Sequence, residues 1–177
     1  MFIIIEGIDC AGKSWASEYL CKNIPNSFYI KHCNTPKSGN PKEVSLLKSS
    51  YETILNFYRS YVQPNNGHLV VDRYYPSELV YSSVMRNYDA FKDQYYNDLE
   101  KLVMNLEYRL LYIHAPMEEI KKRIEIRGDS YVDVDHLSRL KYRYHKFLEH
   151  TNLKNIRTIL SGSQEMDDFI QREILNG

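Results

Sequence analysis

A short apolar run, Phe2-Ile3-Ile4-Ile5-Glu6, feeds the loop Gly7-Ile8-Asp9-Cys10-Ala11-Gly12-Lys13-Ser14, and a helix-forming stretch from Trp15 to Leu20 follows at once. Strand, Gly-x-x-x-x-Gly-Lys-Ser loop and helix in that order form a P-loop in its expected context. A bare pattern match has a bland reading, a chance glycine-containing loop. The flanking strand and helix remove most such matches. Phosphate oxygens carry dense negative charge, so their site needs many donors pointing inward. Gly7 and Gly12 let the backbone curl where a Cβ would resist. The curled N–H groups make an anion nest, and the helix dipole adds partial positive charge. Lys13 supplies a cation for the β- and γ-phosphates, and Ser14 a hydroxyl for phosphate-bound Mg²⁺. The whole run Gly7–Ser14 is therefore expected to hold ATP.

The chain has 177 residues, enough for one domain with a sizeable core. Lys plus Arg equals Asp plus Glu at 23 each, so charge gives no case for binding nucleic-acid polymers or membranes. Small anionic substrates remain open to local basic clusters. Cys10, Cys21 and Cys33 are odd in number and lack metal spacing, which reads as reduced thiols in a cytoplasmic protein. The apolar run at Phe2–Ile5 is too short for a signal peptide.

Strands are expected at Phe2–Glu6, Phe28–His32, His68–Asp72, Arg109–His114 and Asn155–Leu160. Helices are expected at Lys13–Lys22, Glu43–Val62, Ser77–Arg86, Phe91–Leu106, Met117–Arg127, Val134–His150 and Gln164–Leu175. This alternation predicts an α/β fold: about five parallel strands with helices on both faces. Ligands on such sheets bind beyond the carboxyl ends of the strands. That rule points to Gly7–Ser14, the loop Asn34–Pro41, Asp72–Ser77 and the region after His114.

Leu69-Val70-Val71 reads as a buried strand with Asp72-Arg73-Tyr74 at its carboxyl end. An acid there holds Mg²⁺ through water or orients an attacking oxygen, and Arg73 can clamp a phosphate with two hydrogen bonds. The plain alternative is a structural Asp–Arg pair. After a P-loop strand and helix, the functional reading is preferred.

These residues carry a resemblance. Phe2–Asp9 running into Gly12-Lys13-Ser14, and Asp72-Arg73-Tyr74-Tyr75-Pro76-Ser77-Glu78-Leu79-Val80-Tyr81, resemble the thymidylate kinase family of P-loop nucleotide kinases. Leu111-Tyr112-Ile113 followed by Arg123-Ile124-Glu125-Ile126-Arg127-Gly128-Asp129 is similar to a segment shared among related kinases. The resemblance implies a P-loop kinase domain over 1–177 that transfers phosphate from ATP, with Mg²⁺, to a deoxynucleoside monophosphate. It implies that Asp9 lies near the acceptor sugar or the metal, that Arg73 binds the acceptor phosphate, and that Asp72 stands beside Mg²⁺. Tyr81 would pack under the deoxyribose, and Ser77 would shape the helix start. A homodimer is implied as well.

Lys121, Lys122, Arg123 and Arg127 precede Gly128. Arg123 and Arg127 are four apart and share a helix face. Cations closing over a transferring phosphoryl group stabilise its spread charge. In the resembling family this segment, about 121–134, is a lid, and Arg127 first and Arg123 second would meet the donor phosphates. A charged amphipathic helix is the ordinary alternative.

The match weakens after the second strand. The family's Arg-Glu-Pro is replaced by Asn34-Thr35-Pro36-Lys37, with Lys37 as a substitute point charge. Phe57 with Tyr61, or Tyr51, with Arg59 nearby, are candidates to stack on and read the base; core packing is the alternative. The acceptor base stays open between dTMP, another deoxynucleotide and a modified pyrimidine. Of the 16 tyrosines, Tyr74, Tyr75, Tyr81, Tyr95, Tyr96, Tyr142 and Tyr144 could line pockets or subunit contacts, and most are expected to half-bury their rings and leave their hydroxyls wet. The six histidines show no metal spacing. Two rivals remain: a deoxynucleoside kinase with Asp9 or Asp72 as base, and a nucleotide-dependent regulatory module.

Overall fold

The computed structural model describes residues 1–32, 39–86, 88–128 and 134–175. Five strands, β1 (Phe2–Glu6), β2 (Ser27–Lys31), β3 (His68–Asp72), β4 (Tyr108–His114) and β5 (Ile156–Leu160), form one sheet in the order β2-β3-β1-β4-β5. Every pairing is parallel. The expected α/β class, strand count and strand positions hold to within a residue at each end.

β1 lies at the centre, and Phe2 through Glu6 are fully buried. A parallel strand covered on both faces needs apolar side chains on both. The alternation assigns them: Phe2 and Ile4 join Leu69, Val71 and Leu110 in one core, whereas Ile3 and Ile5 join Val70, Leu111 and Ile113 in the other. The first core is covered by α2 (Pro41–Phe57), α3 (Tyr75–Met85), α4 (Gln94–Met104), α5 (Met117–Arg127) and α6 (Val134–His150). The second is covered by α1 (Lys13–Asn23) and α7 (Glu165–Phe169). Truncating one of these β1 isoleucines to alanine would cost roughly 2–5 kcal/mol.

Four helices differ from expectation, among them the last, where α7 covers Glu165–Phe169 and a π-helical segment takes Ile170–Leu175. α2 starts at Pro41, where proline lacks an N–H that would go unused, and continues as one π-helical segment over Tyr58–Val62. α3 starts at Tyr75, with Pro76 in its first turn. The expected helix from Phe91 to Leu106 is split. Asp89 caps a short 3₁₀ turn through Phe91 N, and Asp93 caps α4 through Tyr95 N. Two capping aspartates four residues apart divide what hydrophobic periodicity alone reads as one helix.

The tyrosines also depart from expectation. Tyr74, Tyr75 and Tyr144 are fully buried and Tyr96 nearly so, while Tyr142 is exposed. Three of the buried hydroxyls reach partners: Tyr74 donates to the Tyr51 carbonyl at 2.9 Å, Tyr75 to Glu100 at 2.9 Å and Tyr144 to Glu6 at 2.8 Å, whereas the Tyr96 hydroxyl has no hydrogen-bond partner among the described residues. Glu100 also accepts from Thr151 Oγ1 at 2.6 Å and Asn152 N at 3.0 Å, which fixes the turn from α6 into β5. No described helix is long and apolar enough to cross a membrane.

Candidate active site

β1 and β3 are neighbours with Ile5 opposite Asp72, so the loops after them leave the sheet side by side. After β1 the backbone turns through positive φ at Gly7 (148°), Cys10 (58°) and Gly12 (103°). A Cβ on Gly7 would run into the Ile113 carbonyl oxygen, and one on Gly12 into Ser161 Oγ. Both positions therefore demand glycine. Gly12 is the N-cap of α1; no side chain caps this end and no acidic residue lies in its first turn. Its first N–H groups are left for an anion, with the helix dipole behind them. Ile8 and Ala11 are buried beneath the loop. Lys13 Nζ donates to the Ile8 carbonyl at 2.7 Å. Burial is the largest influence on this ammonium and Arg73 repels it further. Asp9, Asp72 and Glu6 compensate in part, and its pKa falls to about 8.

After β3 the chain turns through Arg73 in the left-handed region, φ 69°. Its N–H still donates to the Ile5 carbonyl at 3.0 Å, continuing the ladder. The guanidinium lies 4.7 Å from the Tyr81 ring centre. It donates to Asp9, to Tyr81 OH at 3.1 Å and to Ser77 Oγ at 3.2 Å. Tyr81 OH in turn donates to Asp9 at 2.9 Å. Burial would raise the Asp9 carboxyl, but Arg73 and Lys13 hold it below its ordinary value.

Beneath this group lies Glu6, which is fully buried. It accepts from Tyr74 N at 2.8 Å, Ser77 N at 3.3 Å, Ser77 Oγ at 2.6 Å and Tyr144 OH at 2.8 Å. One carboxylate thus ties the end of β1 to the start of α3 and to α6. Burial raises its pKa despite these donors.

Asp72 completes the floor. Its Oδ2 accepts from Ser14 Oγ at 3.0 Å and Tyr29 OH at 3.3 Å. Its Oδ1 is buried with no hydrogen-bond partner among the described residues. Lys31, opposite Asp72 in the register, donates to Ser14 Oγ at 3.2 Å. An orphaned carboxylate oxygen beside a P-loop hydroxyl fits a Mg²⁺ that takes one or two protein oxygens and the rest from phosphate and water.

Part of this group lines one cavity of about 610 Å³, with Tyr81, Ser77 and Glu6 behind its wall. It brings together Asp9, Cys10, Gly12, Lys13, Ser14, Asp72 and Arg73 with Arg123 and Arg127 of α5. Arg123 donates to the Cys10 carbonyl at 3.1 Å and pairs with Glu119 at 3.1 Å. Arg127 is the last residue of α5, which Gly128 ends in the left-handed conformation, φ 67°.

Residues 3–175 match the family described as deoxynucleoside kinase. The chain belongs to the deoxynucleoside kinase family. It is 26% identical over 151 residues to a SPbeta prophage-derived uncharacterized protein, YorR, of Bacillus subtilis (strain 168), covering 85% of this chain and 84% of that one. It is also 26% identical to a thymidylate kinase of Campylobacter concisus (strain 13826), over 99% of this chain and 97% of that one. Among solved structures, YorR in complex with phosphorylated GDP is similar with a TM-score of 0.74 at 20% identity, over 99% of this chain and 95% of that one. A deoxyadenosine kinase from M. mycoides with bound dCTP gives 0.62 at 18% identity, with both chains fully covered. The resemblance to thymidylate kinases therefore holds at the level of P-loop deoxynucleoside and nucleotide kinases. The chain is a kinase of nucleosides or nucleotides, and its family implies phosphoryl transfer from ATP.

Not every candidate reaches this kinase's site. Phe57 does not: its ring stacks on Tyr61 at 5.5 Å and meets Phe28 edge-on at 6.0 Å. Phe28 lies near the amino end of β2, opposite Leu69. The end of α2 thus lies over the amino ends of the strands, away from the loops, and Phe57 is a packing residue. Arg59 donates to the Leu102 carbonyl, and Tyr51 is buried against His32 and Tyr74. Lys37 and the lid residues 129–133 lie outside the described residues. Lys31, Tyr29, Trp15, Ser161 and Gly162 were not foreseen. For Lys31 a usable signal existed, because it ends a strand of a parallel sheet. Glu6 was read only as the end of an apolar run.

Proposed function

We propose that this enzyme phosphorylates a deoxynucleoside 5′-monophosphate to the diphosphate with ATP, with dTMP or a related deoxypyrimidine nucleotide as acceptor. The observation that carries the reading is Arg73. It is held in a fixed orientation by Asp9, Tyr81 and Ser77, and it faces the same cavity as Lys13. A planar guanidinium fixed beside a triphosphate loop suits a second phosphate. Lys31 adds another cation on the Asp72 side.

In this mechanism the monophosphate lies across the ends of β1 and β3. One of its phosphate oxygens forms a bond to the γ-phosphorus of ATP, and the bond from that phosphorus to the β–γ bridging oxygen breaks, releasing ADP. The attacking oxygen is already anionic, so no strong base is required. The residues position the two nucleotides and neutralise charge: Lys13 and the loop amides on the donor, Arg73 on the acceptor, Arg123 and Arg127 over the transferring group. Mg²⁺ held by Ser14 and Asp72 would neutralise the β- and γ-oxygens.

The family match itself favours a second reading, a deoxynucleoside kinase. A hydroxyl acceptor needs a carboxylate base. Asp9 is engaged by Arg73 and Tyr81, and residues 32–42, after β2, hold no Asp or Glu. That leaves Asp72, beside Ser14, as the remaining candidate. Purified enzyme given ATP, Mg²⁺ and a panel of deoxynucleosides and their monophosphates decides between the two. The proposal expects diphosphate products from monophosphates. Phosphorylation of nucleosides alone would overturn it in favour of the second reading.

A further inference from the structure

Trp15 is the one tryptophan of the chain. It follows the Lys13-Ser14 pair directly and is 41% exposed. α1 buries Ala16 and Leu20 against the sheet, but Trp15 lies on another stripe with Tyr19, one turn on. The two rings stack at 5.3 Å and 25°. Tyr19 is partly buried against the second core, and its hydroxyl donates to Asp167 of α7. One face of the indole is thereby braced by a ring that is itself anchored at both ends. The exposed surface of Trp15 borders the 610 Å³ cavity together with Gly12, Arg123, Ser161 and Gly162.

From Lys13 the cavity extends two ways. One end holds Asp9 and Arg73, the acceptor side of the proposed reaction. The other holds Arg123, the Ser161–Gly162 turn and Trp15. Gly162 has φ 79°, and a Cβ built there would have nothing within 4 Å, so this end is open. A donor whose β- and γ-phosphates sit on the loop must place its ribose and base on the side away from the acceptor. The group available there is a fixed aromatic plane, with Arg123 lining the same cavity. Such a plane favours a planar base or the apolar face of a sugar, and it does so with little selectivity among bases.

We propose that Trp15 is a donor-side contact, its indole packing against the nucleoside portion of ATP. This rests on the assignment of the Gly7–Ser14 loop to ATP, and the test separates the two. ADP and inorganic tripolyphosphate, which lacks a nucleoside, are titrated into the full chain by calorimetry, and the emission of the single tryptophan is followed in parallel. ADP should change the Trp15 emission more than tripolyphosphate does. Trp15→Ala should weaken ADP by about tenfold and leave tripolyphosphate within about twofold. Trp15→Phe should keep ADP within about threefold, because a ring remains. Trp15→Leu, which keeps apolar volume without a π-face, should show most of the alanine loss and serves if the alanine variant does not fold. Unchanged ADP affinity in Trp15→Ala and Trp15→Leu would overturn the proposal. So would equal losses for ADP and tripolyphosphate, which would make Trp15 a support of the loop. If the wild type binds tripolyphosphate but not ADP, the assignment of the donor fails instead.

Discussion

Arg73 and Asp9, 64 residues apart in the chain, are ion-paired in the wall of the cavity. The pair exists because β1 and β3 are adjacent, so two loops distant in sequence leave the sheet together. A guanidinium with three named acceptors has little freedom to turn. Arg73→Lys keeps the charge but cannot reach Asp9, Tyr81 and Ser77 at once. We expect kcat/KM for the acceptor monophosphate to fall by about 10- to 100-fold, with KM for ATP within about twofold. Steady-state kinetics with each substrate varied in turn measure both. Equal losses for the two substrates would contradict the acceptor role.

Lys13 gives a pH prediction. Its pKa in the unliganded enzyme is about 8, below its ordinary value. Below pH 8 the ammonium is already charged and phosphate binding takes up no proton from it. Above pH 8 binding must first protonate Lys13, so affinity falls. The Kd for ATP should be nearly flat from pH 6.5 to 7.5 and should rise by up to about tenfold per unit above pH 8. For folding the sign is the opposite. The unfolded chain binds this proton more tightly, so the unfavourable contribution from Lys13 relaxes as pH rises from about 8 toward the ordinary lysine value. Calorimetric titration across that range, with Lys13→Ala as the control, isolates the group.

Asp72→Asn keeps a hydrogen-bonding partner for Ser14 and removes the charge. If Asp72 and Ser14 hold Mg²⁺, the half-saturating Mg²⁺ concentration should rise by about tenfold, and the maximal rate should fall. Measuring rate against Mg²⁺ at fixed ATP tests this. An unchanged Mg²⁺ dependence would assign Asp72 to positioning Ser14 and Tyr29 only.

Glu6→Ala should cost about 3 kcal/mol or more, because two backbone N–H groups and two hydroxyls would lose their acceptor in a dry site. Glu6→Gln should cost far less. Its amide oxygen still serves the Tyr74 N–H, and the hydroxyls of Ser77 and Tyr144 can turn to accept from its amino group. Urea unfolding of both variants gives the comparison. If the two are equally stable, the network is not what holds α3 and α6 to β1.

Much of this was legible in local sequence. The P-loop, the Asp72-Arg73 pair and the five strands announce themselves through short apolar runs and through glycines placed where a Cβ would collide. The arginines of α5 were legible from helical spacing. What was not legible depends on direction and partnership. Nothing near Phe57 says that the end of its helix lies over the amino ends of the strands. Nothing near Tyr74, Tyr75 or Tyr144 says that a carbonyl or buried glutamate waits for each hydroxyl. Trp15 follows the motif immediately, yet its exposure is set by Tyr19 and Asp167 from α7, which no local pattern foretells.

The pairing of β1 with β3 sets Ile5 opposite Asp72, and that of β2 with β3 sets Lys31 opposite the same residue. Side chains on a strand alternate between faces, so a slip of one residue would carry Asp72 to the other side of the sheet. The strands thus act as a ruler whose zero mark is the amino-terminal hydrophobic run. A single-residue insertion or deletion inside Phe2–Glu6 or His68–Asp72 would misalign the Asp72 carboxylate with Ser14 even if the domain still folded. Drift in chain length is tolerable in this enzyme only outside those ten residues.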